Sequence, residues 1–388
     1  MLESIPAQFA GCDFSFVVES VSAFVLRSPI ETPVQTSFGI MKDRPALYLI
    51  VRDTQGNTGI GEVWCNFPSC GAEHRKRLLE TAILPAVIGK EFSDPVQCNQ
   101  MLQKQFERLA LQTGEYGPIA QSIAGIDIGL WDLVARRLEV PLHRLFGSQQ
   151  SSVGVYGSGI NPTGAYETFQ RCRNAGYAAF KLKIGFGDEI DYPNIESICA
   201  DLHSGEQLMV DANQAWSVED AIGQIRRLSQ YPLTWVEEPL LANSSDEQWQ
   251  QVADASSIPL AAGENLADET AFSDASQSAW LSVMQPDVCK WGGFSGVLPV
   301  AREALNHKKR YCPHFLGGGV GLVASAHLLA ACGGDGILEI DCNPNPLREG
   351  LFSPVVKNGR TTLSDAPGLG IDLDKFSVLK NDTALSVY

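Results

Sequence analysis

The sequence predicts a (β/α)₈ barrel preceded by a smaller α+β domain. From residue 153 onward, short apolar runs typical of buried strands recur, each followed by a helical pattern, and their starts lie 23 to 28 residues apart. One strand, one helix and two short loops need this length of chain, and eight parallel units in a row close a barrel. The predicted barrel strands are Val153–Tyr156, Phe180–Ile184, Leu208–Val210, Thr234–Val236, Leu260–Ala262, Val283–Gln285, Arg310–Cys312 and Ile337–Ile340.

The part of the chain before the repeat has a different pattern. Runs at 17–26 and 46–52 predict antiparallel strands, and Gln55-Gly56-Asn57 predicts the turn after them. We therefore expect residues 1–145 to form an α+β domain, residues 146–363 the barrel, and residues 364–388 a tail that packs on the first domain. The predicted helices of the first domain are Ala72–Ile88, Pro95–Leu109 and Ala120–Arg137.

Composition and charge narrow the class of protein. The chain has 388 residues, of which 44% are hydrophobic, so a sizeable core is expected. The formal net charge of −16 opposes binding to nucleic acid and to anionic membranes. It still allows an anionic small-molecule substrate, because a bound cation and local lysines can reverse the sign of the charge inside one cleft. The start of the chain has no pattern typical of a signal peptide, and the ten cysteines include no CxxC pair. We therefore expect a cytoplasmic protein with reduced thiols.

Three acidic residues end consecutive predicted strands. Asp211, Glu237 and Glu264 lie 26 and 27 residues apart, so they reach equivalent heights at the carboxyl-terminal ends of the strands, where barrels carry their working residues. Three carboxylates repel one another unless a cation lies among them, and oxygen ligands favour Mg²⁺, with Mn²⁺ as the alternative ion. Asn213, two residues after the first acid, is a candidate substrate contact.

Candidate acid and base residues end other strands. Lys181 and Lys183 alternate along the second strand, so both point to one side, and a neighbouring metal and ammonium would lower the pKa of a lysine toward that of a usable base. Asp287 and His314 end the sixth and seventh strands, a pairing in which the acid orients the imidazole. Glu339 on the eighth strand either donates a hydrogen bond to substrate in its protonated form or pairs with a basic residue.

Loops of the first domain are candidates for closing over the barrel. Its candidate substrate-binding residues are Lys42, Arg44, Trp64, Asn66 and Phe67. Gly317-Gly-Gly319 suits a phosphate cradle, but a loop that closely approaches the substrate or begins a helix is the preferred interpretation.

These motifs together resemble the enolase superfamily in its mandelate racemase-like subgroup, and the resemblance covers nearly the whole chain. The motifs are Lys-x-Lys at 181–183, Asp-Ala-Asn at 211–213, Glu-Glu-Pro at 237–239, Gly-Glu-Asn at 263–265, Gln-Pro-Asp-x-x-Lys-x-Gly-Gly at 285–293 and Pro-His at 313–314.

The resemblance implies a modified barrel with a capping domain, one Mg²⁺ and removal of the proton α to a carboxylate to give an enediolate. It implies that Asp211, Glu237 and Glu264 bind the metal, that Lys183 is the base on one face with Lys181 beside it, and that His314 acts on the other face. It assigns Asp287 to orient the imidazole, and Glu339 to the substrate carboxylate. It also implies a homo-oligomer, a dimer or an octamer.

Asp287 decides the subgroup, because the muconate-lactonizing and dipeptide-epimerase-like subgroups carry a catalytic lysine at that place. Among acid-sugar enzymes, the stretches 285–295, 313–317 and 338–346 look most similar to galactarolactone cycloisomerase-like sequences. The cap segment Cys65-Asn-Phe-Pro68 departs from them, which leaves the substrate open. Racemisation or epimerisation, dehydration and cycloisomerisation all remain possible second steps.

Two other functions fit parts of the pattern. A phosphate-binding barrel aldolase would use Lys183 as a Schiff-base amine, although it has no need of the three acids. A non-catalytic binding barrel would be signalled by loss of a ligand or a base, and none is missing from the sequence.

Overall fold

A nearly closed parallel barrel forms the second part of the molecule, as the strand repeat predicts. The computed structural model describes residues 5–36, 39–382 and 386–387. Eight parallel strands follow the order β11-β10-β9-β8-β7-β6-β5-β12, and Glu339 N donates to Pro313 O across the gap between β12 and the end of β11. The strands are β5 Ser152–Ile160, β6 Ala179–Lys183, β7 Gln207–Asp211, β8 Leu233–Glu237, β9 Leu260–Ala262, β10 Val283–Met284, β11 Arg310–Tyr311 and β12 Ile337–Asp341.

Helices alternate with these strands and cover the outside of the barrel. The Ser217 hydroxyl accepts from Asp220 N at the start of one helix, and Ser245 forms a full capping box with Gln248 at the start of the next. The barrel helices are α5 Ala165–Asn174, α6 Asp188–Asp201, α7 Val218–Leu228, α8 Asp246–Asp254, α9 Glu269–Gln277, α10 Gly293–Asn306, α11 Gly319–Cys332 and α12 Pro346–Glu349.

An antiparallel sheet begins the chain and carries helices on one side. Its first two strands are longer than predicted, because their pairing continues past a bulge between Pro29 and Val34 to the residues at the hairpin end. The strands are β1 Phe16–Thr36, β2 Gly39–Asp53, β3 Thr58–Val63 and the short β4 Glu91–Phe92, which pairs with the start of β1. The helices are α1 Gly71–Leu78, α2 Pro95–Thr113, α3 Tyr116–Arg137 and α4 Leu142–Leu145.

The first predicted helix, Ala72–Ile88, is shorter in the structure. The α-helix ends at Leu78 and continues as one π turn over Leu79–Ile83 and one 3₁₀ turn over Leu84–Ala86. Pro85 lies in that last turn, and a proline removes a hydrogen bond and clashes with the preceding turn of an α-helix.

The end of the chain contacts both parts of the molecule. β13 Arg360–Thr362 pairs antiparallel with β5 in the barrel, whereas β14 Ser386–Val387 pairs antiparallel with β1. Between them lies α13 Leu373–Lys380, whose Phe376 ring packs edge-on against Phe24 and Tyr48 of the first sheet. The division into domains at residues 145 and 363 stays a prediction.

The cysteines differ in one respect from the expectation of reduced thiols. Cys172 on α5 and Cys342 after β12 form a disulfide, although 170 residues separate them, and the fold brings their Cα atoms to 6.6 Å. That distance lies in the range that a disulfide spans. The other eight cysteines are free. Within the described ranges, no helix is both long and apolar enough to cross a membrane.

A buried pair of histidines joins α4 to the barrel helix α11. His327 Nδ1 accepts from the backbone N–H of His143 at 2.9 Å and lies 3.1 Å from His143 Nδ1, and its Nε2 faces Leu369 O at 3.4 Å. An imidazole that accepts at one nitrogen and donates at the other is neutral. Burial lowers the pKa of His327 to about 3 and that of His143 to about 4.

We predict that this pair makes the fold less stable at mildly acidic pH. The folded-state pKa of His327 lies below its ordinary value, so its contribution to stability is complete above about pH 6.5 and is lost as the pH falls. The shift corresponds to about 2 kcal/mol between pH 7.5 and pH 5, measured as the free energy of unfolding by denaturant titration.

The test compares the wild type with two variants, one at the buried His327 and one at the exposed His307. His327→Asn should show a smaller loss of stability between the two pH values, because Asn keeps an acceptor and does not titrate. His307→Asn, at an exposed position, should behave as the wild type does. An equal loss in wild type and His327→Asn would contradict the assignment.

Candidate active site

The register of the barrel places a lysine and two acids side by side. Lys183 on β6 is the direct partner of Asp211 on β7, which is in turn the direct partner of Glu237 on β8. Neighbouring strands lie about 4.8 Å apart, so these side chains meet at the carboxyl-terminal end of the barrel. All three are buried or nearly so.

The two lysines of β6 are held by carboxylates. Lys181 Nζ lies 2.5 Å from Glu237 Oε1, 2.9 Å from Glu339 Oε1 and 3.5 Å from Asp211 Oδ2. Lys183 Nζ donates to Asp211 Oδ2 at 2.5 Å and to Asn213 Oδ1 at 2.8 Å.

Carboxylate contacts set the direction of the lysine pKa shifts when no cation lies among the acids, and the lowering of a lysine pKa by a bound metal stays a prediction. Burial lowers the pKa of Lys183, but the carboxylates of Asp211, Glu237 and Glu264 together outweigh it, and the pKa lies above its ordinary value. The pKa of Lys181 is likewise raised, because Glu237 and Glu339 outweigh burial. Without a cation among the acids, both lysines are held in the charged form.

A second group of side chains surrounds Glu264. Lys290 Nζ donates to Glu264 Oε2 at 2.9 Å and to Asn265 Oδ1 at 2.8 Å, and Asn265 Nδ2 donates to both oxygens of Glu238 at 2.9 Å. Burial and the neighbouring carboxylate of Glu264 raise the pKa of Glu238 well above its ordinary value. Lys290 therefore donates to Glu264, which is one of the three predicted metal ligands.

His314 and Asp287 form the predicted pair. His314 Nδ1 lies 2.9 Å from Asp287 Oδ2, and its Nε2 lies 3.1 Å from Glu264 Oε2. Burial lowers the pKa of His314, but the carboxylates, Glu264 first and then Glu339 and Asp287, outweigh it and raise the pKa to about 9. The ring is therefore positively charged at neutral pH in this arrangement.

Glu339 is ionised and paired, which is the second of its two predicted states. Besides its contact with Lys181, its Oε2 accepts from the backbone N–H of Phe315 at 3.3 Å. Burial raises its pKa, but Lys181 and His314 outweigh burial, and the pKa is lowered.

The residues fit a divalent cation by donor type and by charge. In the structure each predicted ligand carboxylate turns toward an ammonium group, and no three His, Cys, Asp or Glu side chains within the described residues form a ready ligand cluster. The cluster nevertheless holds six carboxyl groups against three ammonium groups and one imidazolium, so the carboxyl groups outnumber the basic groups by two. Its members are Asp211, Glu237, Glu238, Glu264, Asp287 and Glu339, with Lys181, Lys183, Lys290 and His314.

The pKa of Glu237 shows the effect of this excess of carboxyl groups. Burial, with added repulsion from Asp211 and Glu339, raises its pKa to about 7 in spite of its contact with Lys181. A divalent cation such as Mg²⁺ bound to these oxygens would favour the ionised carboxylate and lower its pKa.

A cavity of about 280 Å³ opens above this cluster. Its floor includes Lys183, Asn213, Glu264, Lys290 and His314. Its walls are formed by Trp64, Phe67, Gln214, Asn265 and Leu316. The predicted bases of β6 and β11 therefore face one space, and each comes from a different side of the barrel.

The candidate cap residues divide into two groups. Trp64 and Phe67 follow β3 and line the cavity. The Lys290 ammonium lies 4.8 Å from the centre of the Trp64 ring. Asn66 is buried and donates from Nδ2 to Leu316 O at 2.7 Å, so it holds a loop of the barrel.

The two basic candidates of the cap lie in β2, not in a loop. Lys42 is exposed and does not line the cavity, so we do not include it in the proposed site. Arg44 is buried, and its guanidinium pairs with Asp341 of β12 at 2.6 Å, so it is held by a strand of the barrel.

Glu62, at the end of β3, is a residue of the site region that sequence reasoning missed. Its two oxygens accept from Gly318 N at 2.5 Å and from Gly321 N at 2.8 Å, at the start of α11. A Cβ on Gly318 would lie 2.1 Å from the Tyr48 hydroxyl, so the glycine run permits close approach to the cap and not to substrate. Gly59-Ile-Gly-Glu62 and Gly317-Gly-Gly319 were visible signals, but nothing local to either one indicates the other.

Comparisons with known proteins agree with this architecture. Residues 20–147 match the family model for the mandelate racemase / muconate lactonizing enzyme N-terminal domain, and residues 165–377 match the model for the enolase C-terminal domain-like family. The chain belongs to the mandelate racemase-like enolase superfamily. It is accordingly an enzyme, as the sequence predicts.

Two curated relatives act on sugar acids by name. The chain is 29% identical over 378 residues to D-galactarolactone cycloisomerase from Agrobacterium fabrum, covering 92% of this chain and 97% of the relative. It is 33% identical over 271 residues to L-talarate/galactarate dehydratase from Salmonella typhimurium, covering 68% and 65%.

Two solved structures show the same fold. A mandelate racemase/muconate lactonizing enzyme from Bordetella bronchiseptica is 46% identical with a TM-score of 0.89, over 94% of this chain and 99% of that one. A racemase from Streptomyces coelicolor with bound magnesium is 27% identical with a TM-score of 0.83, over 94% and 99%.

We predict that Glu62 stabilises the junction between cap and barrel. Glu62→Ala removes the acceptor of two buried N–H groups, so the free energy of unfolding should fall by about 2–4 kcal/mol in denaturant titration. Glu107→Ala, at an exposed position on α2, should change it by less than about 0.5 kcal/mol. A Glu62→Ala protein as stable as the wild type would show that these N–H groups have other acceptors.

Proposed function

We propose that this enzyme binds a hydroxy acid or sugar acid through its carboxylate, beside one Mg²⁺, and removes the proton α to that carboxylate to give an enediolate. Asp211, Glu237 and Glu264 would hold the metal. The observation that carries the proposal is that Lys183 and His314 face one cavity from different sides, above a buried cluster in which carboxyl groups outnumber basic groups.

Positive charge at the carboxylate is the main requirement of the reaction. The α-proton of a carboxylate is very weakly acidic, and its removal creates a second negative charge on the same group. A bound divalent cation supplies part of the stabilisation as a Lewis acid and offsets the excess charge of its ligands. Lys181, held by Glu237 and Glu339, keeps a further ammonium at the same place.

Each base has its own support. Lys183 is positioned by Asn213 and Asp211, and with Asp211 engaged elsewhere its ammonium can lose a proton more readily. Asp287 fixes the ring of His314 through Nδ1, and Nε2 contacts Glu264. With Glu264 engaged by the metal, Nε2 would be able to exchange a proton with the substrate. A Schiff-base aldolase would have no need of the three acids Asp211, Glu237 and Glu264 beside its lysine.

The second step depends on which proton transfer is carried out by the residue on the opposite face of the substrate. If Lys183 and His314 both exchange the α-proton, the result is racemisation or epimerisation. If one removes the α-proton and the other protonates a leaving oxygen on the β-carbon, the result is dehydration or, for a ring oxygen, cycloisomerisation. The curated relatives include a cycloisomerase and a dehydratase, and we propose elimination from an acid sugar as the overall reaction. A cytoplasmic homo-oligomer stays a prediction.

The metal assignment predicts a measurable binding site. Isothermal titration calorimetry should detect one Mg²⁺ per chain, and Asp211→Asn should weaken its affinity by more than about 10-fold, since even residues that only orient metal ligands contribute that much. Calorimetry is preferred to thermal melting, because removing one acid also relieves repulsion in the metal-free protein.

Two outcomes bear on this assignment. Glu107→Gln, at an exposed acid, should bind Mg²⁺ as the wild type does. Wild-type affinity in Asp211→Asn, or no Mg²⁺ binding by the wild type, would remove these acids as the metal site.

The two-base assignment predicts loss of exchange from one face at a time. In deuterated water with Mg²⁺, Lys183→Ala should lose α-proton exchange from one stereoisomer of an α-hydroxy acid by about 10²–10⁴-fold, and His314→Asn from the opposite stereoisomer. Proton NMR of a library of sugar acids measures both exchange and keto product.

Exposed residues of the same type serve as controls. Lys104→Ala on α2 and His307→Asn after α10 should exchange at wild-type rates. Undiminished exchange in both Lys183→Ala and His314→Asn would exclude the proposed bases.

A further inference from the structure

Glu237 is held at both of its carboxylate oxygens. Lys181 Nζ donates to Oε1 at 2.5 Å, whereas Oε2 accepts from Gln285 Nε2 at 2.7 Å and from Trp235 Nε1 at 3.3 Å. All four side chains are buried. One oxygen of Glu237 therefore meets an ammonium group, and the other meets two neutral donors.

The side-chain amide of Gln285 uses only one of its two polar ends. Its Nε2 donates to Glu237, but its Oε1 is buried and accepts from no protein group among the described residues. A buried carbonyl that no protein group satisfies costs free energy, which a leucine of similar size would avoid. Packing alone therefore does not explain a glutamine at this position, whereas the hydrogen bond that it donates to Glu237 does.

The backbone of Gln285 is fixed against the segment that leads to another predicted ligand. Gln285 N donates to Ala262 O at 2.9 Å. Gly263 follows with a φ of +144°, and a Cβ on it would lie 2.7 Å from Gln285 N. The segment that precedes Glu264 and the segment that carries Gln285 thus pack backbone against backbone. Because the amide extends from this rigid support, it can hold the Glu237 carboxylate in one orientation.

Asp211, the predicted ligand on the neighbouring strand, is held in a similar way by the backbone. Its Oδ1 accepts from Asn213 N at 2.8 Å, and its Oδ2 accepts from the Lys183 ammonium. Each of these two acids therefore has one oxygen bonded to a neutral N–H group and one oxygen next to a lysine. A substitution cannot remove the backbone donor of Asp211, but it can remove the side-chain donor of Glu237.

The number of oxygens that a carboxylate offers affects the choice of cation. Mg²⁺ requires nearly octahedral geometry, whereas the larger Ca²⁺ accepts about six to eight oxygens and can bind both oxygens of one carboxylate. An acid that offers a single oxygen therefore favours Mg²⁺. An acid that is free to offer both oxygens adds a ligand that suits Ca²⁺ better.

We infer that Gln285, assisted by Trp235, is a positioning residue that makes Glu237 a one-oxygen ligand and so shifts the selectivity of the site from Ca²⁺ toward Mg²⁺. With Oε2 occupied by the amide and the indole, Oε1 is the oxygen left for the cation. This inference rests on the proposed function, since it takes Glu237 as a metal ligand.

The test measures the dissociation constants of Mg²⁺ and of Ca²⁺ by isothermal titration calorimetry on the metal-free enzyme. Gln285→Leu removes the donor and keeps a side chain of similar size. We expect Mg²⁺ to bind this variant about 10-fold or more weakly, the usual effect of losing a residue that orients a metal ligand, and Ca²⁺ to bind it as tightly as the wild type or more tightly. The ratio of the Ca²⁺ constant to the Mg²⁺ constant should therefore fall by at least about 10-fold.

Two further variants complete the experiment. Trp235→Phe keeps an aromatic ring and removes only the longer of the two hydrogen bonds, so the ratio should fall in the same direction by a smaller factor. Gln105→Leu is the matched control: it makes the same change at an exposed position on α2 and should leave both constants unaltered. If Gln285→Leu does not fold, the ratio in Trp235→Phe decides the inference.

The outcomes separate the two proposals. An unchanged ratio in Gln285→Leu, including an equal loss of affinity for both ions, overturns the selectivity role while the proposed metal site stands. Absence of Mg²⁺ binding by the wild type overturns the metal site of the proposed function, and the role of Gln285 with it.

Discussion

The site depends on an electrostatic constraint: buried carboxyl groups outnumber the basic groups that lie among them. The parallel register sets Lys183, Asp211 and Glu237 next to one another, and none of them can turn away into water. Each carboxylate is therefore stabilised by an ammonium, and each ammonium is kept charged by a carboxylate. A lysine in this state is a poor base. On the proposed function, a divalent cation is thus needed both for the substrate and to release Lys183 from Asp211.

A second dependence links the cap to the chemistry. The loop after β11 carries His314 on the floor and Leu316 on the wall, and the cap holds its second half: Asn66 bonds to Leu316 O, and Glu62 bonds to the N–H groups of Gly318 and Gly321 where α11 begins. The cap therefore does more than cover the barrel. A change in the segment after β3 moves the wall and also alters the support of the residue that we propose as the second base.

The sequence predicted the features that repeat along the chain. Eight strands, three acids in equivalent places and the pairing of Asp287 with His314 all follow from the strand period, because parallel strands end at the same edge. The direction of the lysine pKa shifts and the ionised state of Glu339 were not predictable in this way. They depend on which of several buried charges lie within about 3 Å, and a register alone does not determine those distances.

Contacts between distant parts of the chain were also beyond the sequence. Glu62 and Gly318 are separated by 256 residues, and Cys172 and Cys342 by 170. Each partner has an ordinary local explanation: an acid at the end of a strand, a glycine before a helix, a cysteine in a helix. Only the packing of one domain on another shows that the carboxylate and the glycine need each other, and that an added Cβ at Gly318 would meet Tyr48.

The floor and the wall of the cavity differ in how freely they can change. Floor residues such as Lys183 and Glu237 lie on strands in a connected set of buried charges, so replacing one leaves another unpaired, which is costly. Wall residues such as Trp64 and Leu316 lie on loops and carry no charge, so replacing them leaves no buried charge unpaired. Because the charged residues of the floor depend on one another, they maintain a common first step. Because the wall residues carry no charge, they can change and admit different substrates. Specificity in this protein should therefore be sought in the loops after β3 and β11.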